Sequence, residues 1–172
     1  MLSEKELIIR LETILVKQVH FQTYLELQIT SKHLDLQRMI DQEQFRIDLA
    51  AISQIDSSIH FFEAETQLHL QHPVLYRKFC DYCYLVCPEE QFEILDSITK
   101  KQQLSWAEET GVGIITISKE GALRVRLHAK KQLILPEVRK EVIRAMNKRY
   151  HIHFSTLPLW ERSRNSHSKG EA

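Results

Sequence analysis

Two short apolar runs, FRIDLAAIS (45–53) and SIHFFEAE (58–65), are joined by the polar turn QIDSS. Their β-branched and aromatic residues and the turn between them predict a pair of antiparallel strands. This pair constrains the fold more than any other feature, because each run carries a carboxylate in an otherwise apolar strand. Asp48 and Glu63 are nearly symmetrical about a turn centred at 55–56, so the hairpin sets them close to opposite one another. A buried charge without a partner is very costly, and a divalent cation is one partner that satisfies both at once. Carboxylates, a backbone carbonyl and waters are oxygen ligands that suit Mg²⁺. Glu65 lies two residues past Glu63 and points to the same side of a strand. Two like charges placed so repel unless something positive stands between them.

The rest of the chain supplies a sheet with helices around it. Ser3 and Glu6 are spaced as a capping box, and Leu7, Ile8, Leu11, Ile14 and Leu15 recur at helical spacing to about Lys17. HFQTYLELQIT alternates and predicts a strand near 20–30, while the polar stretch 31–44 reads as a loop or short helix. After His72-Pro73, VLYRKFCDYC reads as a helix leading into the strand YLVC (84–87), which Pro88 ends. Pro-Glu-Glu then opens a helix over roughly 89–108. GVGIITIS (111–118) is a buried strand, and ALRVRLH (122–128) is its partner across Lys119-Glu120-Gly121. Pro136 opens a last helix with Val138, Val142, Ile143 and Met146 on one face. One α/β domain is expected over 1–162, with a disordered polar tail over 163–172.

A formal net charge of zero hides a division. Residues 1–110 hold 10 Lys and Arg against 18 Asp and Glu, and residues 111–172 hold 13 against 5. An acidic part followed by a basic part suits a protein that gathers cations in one place and phosphates in another. Arg124 and Arg126 share one face of a strand, Lys130 and Lys131 follow, and Arg139, Lys140, Arg144, Lys148 and Arg149 stripe the last helix. These read as phosphate contacts, since no base-reading motif accompanies them, although a solvated helix face gives the same pattern. No run approaches the roughly 18 apolar residues of a membrane span. The start, MLSEKELIIRLE, is too acidic for a signal peptide. Three Cys are an odd number for a disulfide framework, so the cytoplasm is the expected compartment. Cys80, Cys83 and Cys87 lack a fourth thiolate and read as structural thiols. His69, His72, His151 and His153 make only a weak zinc pattern.

The spacing Asp48–x14–Glu63–x–Glu65, on the second and third strands after one helix and one strand, resembles the PD-(D/E)xK nuclease superfamily. More specifically, the sequence resembles the MmcB-like DNA repair proteins of that superfamily. The likeness lies in RIDLAAIS, HFFEAE, YRKFCDYCYLVCP, ETGVGIITISKEGALRVR and LILPEVRKEVIRA, over about residues 45–150. It implies a restriction-endonuclease-like αβββαβ core with a mixed central sheet flanked by helices. It also implies a metal-dependent nuclease acting in DNA repair, with Mg²⁺ or Mn²⁺ held by Asp48, Glu63 and the carbonyl of Ala64. The metal would polarise the scissile phosphate and activate a water. The expected partner is DNA, contacted mainly through its backbone, with a homodimer left open and no membrane.

At the third motif position the family has lysine, and this chain has Glu65, which cannot supply positive charge. Three readings stay open. Glu65 is a further ligand or a general base, so that Asp48, Glu63 and Glu65 form the catalytic set. Alternatively the lysine has moved, to Lys78 beside Arg77. Or the site is silent, and the fold binds nucleic acid or a protein partner. An acid on the first helix often joins such a site; Glu12 is the residue placed for it, and reads equally as a solvated surface group.

Overall fold

In the computed structural model, which describes residues 1–18, 20–30 and 33–156, the chain opens with α1 (Glu4–Gln18), β1 (Phe21–Ile29), α2 (Leu36–Ile40), β2 (Phe45–Ser53) and β3 (Ile59–Ala64). It continues with α3 (Gln71–Tyr76), a 3₁₀ turn over Arg77–Phe79, β4 (Tyr82–Pro88), α4 (Glu89–Ile94) and α5 (Ser97–Thr110). β5 (Gly113–Ile117), β6 (Leu123–Leu127) and α6 (Pro136–Thr156) complete it. The strands form one sheet in the order β1-β2-β3-β4-β5-β6. β1, β2 and β3 make an antiparallel meander, β3, β4 and β5 run parallel, and β6 returns antiparallel to β5. Parallel neighbours need a crossover; α3 supplies one between β3 and β4, and α4 with α5 supplies the next. The expected α/β class and the mixed sheet flanked by helices are both present. The order helix, three strands, helix, strand runs through β4, with the short α2 inserted before β2.

Burial explains which runs alternate and which do not. Every residue of β5 is buried, as a central parallel strand covered on both faces requires. On one face α1 sets Leu7, Leu11 and Leu15 against Leu49, Phe62, Val86 and Ile115. On the other, Val138, Val142 and Met146 of α6 meet Ile47, Ile59 and Phe61. A third cluster packs Phe92 of α4 and Ala107 of α5 on Leu85, Cys87 and Ile114. All three cysteines are buried in these clusters, and burial pushes the Cys87 thiol up to about 12, which keeps it protonated.

Local signals set the helix ends. Ser3 and Glu6 close the capping box, with Ser3 N–H donating to Glu6 Oε2 at 2.8 Å and Glu6 N–H to Ser3 Oγ at 3.3 Å. The single helix expected over 89–108 is instead two. Leu95 and Asp96 are extended, and the Asp96 carboxylate accepts the N–H groups of Ile98 and Thr99 at 3.0 and 2.8 Å. A strong N-cap in mid-sequence starts a new helix rather than continuing the old one. The helix expected from VLYRKFCDYC is likewise short, since α3 tightens into the 3₁₀ turn and Cys80 is extended. Among the described residues no helix is long and apolar enough to cross a membrane. The boundary at 162 and the tail 163–172 lie outside the described residues, as do the side chains of Arg149, His151 and His153.

One buried carboxylate fastens α6 to the sheet. Asp81, 2% exposed, accepts the N–H of Ile59 at 2.7 Å on one oxygen and the Arg139 guanidinium on the other. Arg139, which the sequence places in a phosphate-binding stripe, is therefore a structural cation. Removing one partner of a buried pair strands the other charge. Arg139→Ala is expected to cost about 3 kcal/mol of stability, read as a shift in the urea midpoint. A loss below about 1 kcal/mol, the worth of an exposed ion pair, would show that water reaches Asp81 freely.

Candidate active site

Asp48 and Glu63 meet as the hairpin arithmetic requires. Leu49 pairs with Phe62 and Ala50 with Phe61, which carries the register on to Asp48 and Glu63. The Asp48 N–H donates to Glu63 Oε1 at 3.2 Å, and the Ala64 N–H donates to Asp48 Oδ2 at 3.0 Å. Each residue thus binds the strand that carries the other.

Around Asp48 the alternation of a regular strand fails. Phe45, Ile47 and Ala50 lie in one core cluster while Leu49 and Ala51 lie in the opposite one, so β2 slips by one residue between them. β1 slips at the same level: Tyr24 and Leu27 face one cluster and Leu25 the other. Between the pairs Leu25–Leu49 and Leu27–Ile47 stands Glu26, with φ of 49°. Left-handed backbone costs a non-glycine residue roughly 1–2 kcal/mol, and such outliers gather at functional sites. The slip belongs to the strand pair that carries the carboxylate.

The two carboxylates sit in a cleft of about 470 Å³, whose lining also includes Ala64, Glu65, Arg46, His72, Tyr76 and Glu4. Glu63 is 5% exposed. Burial, and next the charge of Asp48, push its carboxyl up to about 9, against the N–H of Asp48 and the more distant Arg46. Asp48 is raised as well, by burial, with the Ala64 N–H and Arg46 opposing. Tyr76 stacks on Phe45 at 4.8 Å and closes one wall. Burial, and next Glu63, push its hydroxyl up.

This donor set fits a hard divalent cation. Two carboxylates side by side, one held neutral by burial and by its neighbour's charge, are groups that such an ion would ionise on binding. Asp48 and Glu63 would hold it, and Ala64, next after Glu63, is on the same lining. Glu65 does not complete a triad. Its Oε1 accepts a hydrogen bond from His72 Nδ1 at 3.1 Å, and among the described residues no three His, Cys, Asp or Glu side chains converge to hold a metal ion.

Several expected cations lie elsewhere. Lys78 is absent from the cleft lining, because its Nζ donates to the Met39 carbonyl at 3.2 Å, toward α2. Arg124 and Arg126 both bind Glu89, at 2.9 and 2.7 Å, and Arg126 also reaches Glu93 and Thr116. Both are thus charge-paired, Arg126 largely covered and Arg124 still 61% exposed. β6 also lies four strands from β2, roughly 19 Å at ordinary strand spacing. Lys130 donates to the Glu108 carbonyl at 2.9 Å, and Lys131 is exposed beside it. On α6, Arg144 binds Glu141. Glu12 accepts from Thr23 Oγ1 at 2.8 Å, and the acid that α1 brings to the cleft is Glu4. Arg46, two residues before Asp48 on β2, is the permanent cation among the lining residues described. Its guanidinium stands 3.9 Å from Glu26 and stays largely exposed. Arg46 belongs to the run RIDLAAIS, and only the fold places it on the cleft.

Fold and cleft together define an α/β protein with paired carboxylates at the antiparallel side of a mixed sheet. No family model matches the chain, and no curated protein matches it. Among solved structures it is similar to a protein of unknown function from Silicibacter pomeroyi, with a TM-score of 0.59 and 16% identity, over 93% of this chain and 94% of that one. Likeness at this identity speaks to the fold alone.

Proposed function

We propose that the protein is a Mg²⁺- or Mn²⁺-dependent nuclease acting on DNA, with a restriction-endonuclease-like core of the PD-(D/E)xK type and a role in DNA repair. The observation that carries this reading is the meeting of buried Glu63 and half-buried Asp48 at one cleft, each accepting a backbone N–H from the other's strand. A divalent ion bound there would polarise a phosphate oxygen and acidify a water. Asp48 and Glu63 supply its negative ligands, and Arg46 at the rim meets the phosphate charge. The cleft is lined by Gln28, Gln42 and Gln44 as well, whose amides can donate to phosphate and sugar oxygens.

One observation favours a silent, nucleic-acid-binding module instead: Glu65 occupies the motif position of the lysine, and Lys78 is turned away. Incubation with single-stranded, duplex and branched DNA separates the two readings. The nuclease cuts at least one form when Mn²⁺ or Mg²⁺ is added and none in a chelator. The silent module binds DNA with strong salt dependence and cuts none.

A further inference from the structure

Resting on the nuclease reading, we propose that Glu65 and His72 form a carboxylate–imidazole dyad in which His72 takes the proton of the attacking water. Glu65 follows β3 on the side of Glu63, and the crossover then carries the chain to α3, whose second residue is His72. Nδ1 of His72 lies 3.1 Å from Glu65 Oε1. A carboxylate only accepts, so Nδ1 carries a hydrogen, and in the neutral ring Nε2 keeps its lone pair. The ring lies nearly parallel to that of Tyr76, with centroids 6.0 Å apart and an interplanar angle of 13°. Its side chain is 52% exposed and Glu65 is 22% exposed, so water reaches the ring while the carboxylate behind it is sheltered. His72 lines the cleft that holds Asp48 and Glu63. The charged and titratable groups that share the cleft with the ring are Glu4 of α1, Arg46 and Asp48 of β2, Glu63 of β3, Glu65 just past it, and Tyr76 on its own helix.

An exposed pair of this kind contributes at most about 1 kcal/mol to stability, so its placement calls for another use. A carboxylate that fixes the tautomer and orientation of an imidazole is the arrangement that aims a general base. In the step, the water oxygen bonds to phosphorus and its proton passes to Nε2 of His72. The phosphorus–oxygen bond to the departing sugar oxygen breaks, and that oxygen takes a proton from solvent. His72 then returns its proton to solvent, leaving a phosphomonoester and a hydroxyl. Glu65 is the positioning residue and His72 the catalytic one. On this account the missing lysine is replaced by two residues, one at its own position and one on α3.

Wild type, His72→Ala, His72→Gln and Glu65→Gln are compared on single-stranded, duplex and branched DNA with Mn²⁺. Mn²⁺ binding is measured separately by electron paramagnetic resonance. His72→Ala is expected to slow cleavage by about 10²- to 10⁴-fold, to leave Mn²⁺ affinity unchanged, and to regain activity with added imidazole. His72→Gln keeps a donor for Glu65 and is expected to be as slow while melting with the wild type. Glu65→Gln is expected to lose about 10- to 100-fold. A His72→Ala protein that cuts at the wild-type rate, or that loses Mn²⁺ in step with cleavage, overturns the dyad and leaves the nuclease reading intact. A wild-type protein that cuts none of the DNA forms overturns both.

Discussion

Asp48→Asn is expected to reduce Mn²⁺-dependent DNA cleavage by about 10³-fold or more, with the fold intact. A metal ion supplies several kcal/mol of transition-state charge stabilisation, and about 4 kcal/mol corresponds to roughly 10³ in rate. Asparagine removes the charge that would hold the ion. Its side-chain oxygen can still accept the Ala64 N–H, which in the native cleft lies 3.0 Å from Asp48 Oδ2. Removing a negative neighbour also relieves Glu63, whose carboxyl Asp48 helps to push up. The substituted protein should therefore melt no lower than the wild type. Cleavage rates and melting curves taken on the same preparation test both halves. Equal cleavage by the two proteins would place the activity outside this cleft.

The second large effect is on stability against pH, with metal removed. The Glu63 carboxyl is at about 9 in the folded protein and 4.5 as its ordinary value. Between those limits the folded chain holds a proton that the unfolded chain has released, so stability falls as pH rises. His60 acts in the opposite sense. Burial lowers its imidazole to about 4 from 6.5, so across that interval the unfolded chain holds the extra proton and stability rises with pH. The two slopes oppose one another below pH 6.5 and Glu63 acts without that opposition above it. From pH 6.5 to 9 the metal-free protein is expected to lose about 3 kcal/mol, or roughly 6–12 °C in Tm. Glu63→Gln keeps an acceptor for the Asp48 N–H and should flatten this slope. Mn²⁺ should restore the wild type at high pH, because binding ionises the carboxyl and releases its proton, and should do little for Glu63→Gln. Parallel melting curves for the two metal-free proteins from pH 6.5 to 9 would show that Glu63 is not the titrating group.

The two carboxylates were legible because their meeting is a local event. A hairpin pairs residues whose numbers sum to a constant, so the positions of Asp48 and Glu63 about the turn predict their encounter. The capping box of Ser3 and Glu6 was legible for the same reason, since its partners lie three residues apart. The break between α4 and α5 was missed although Asp96 stands in plain view. Its capping role competes with helical continuation, and composition alone does not decide that contest.

The α/β class, the central hairpin and the pair of acids that it brings together are legible in the chain alone. All of these follow from periodicity and from contacts between near neighbours in the chain. The cations were decided by the tertiary structure alone. Arg124 and Arg126 turn to Glu89 because β6 lies beside β5 and α4 packs on β4 and β5; Arg139 turns to Asp81, and Lys78 to the Met39 carbonyl. Glu65 acquires His72 through the α3 crossover. A long charged side chain goes to whichever opposite charge or carbonyl packing brings near, and that neighbour is set by how distant elements cross rather than by the residues beside it.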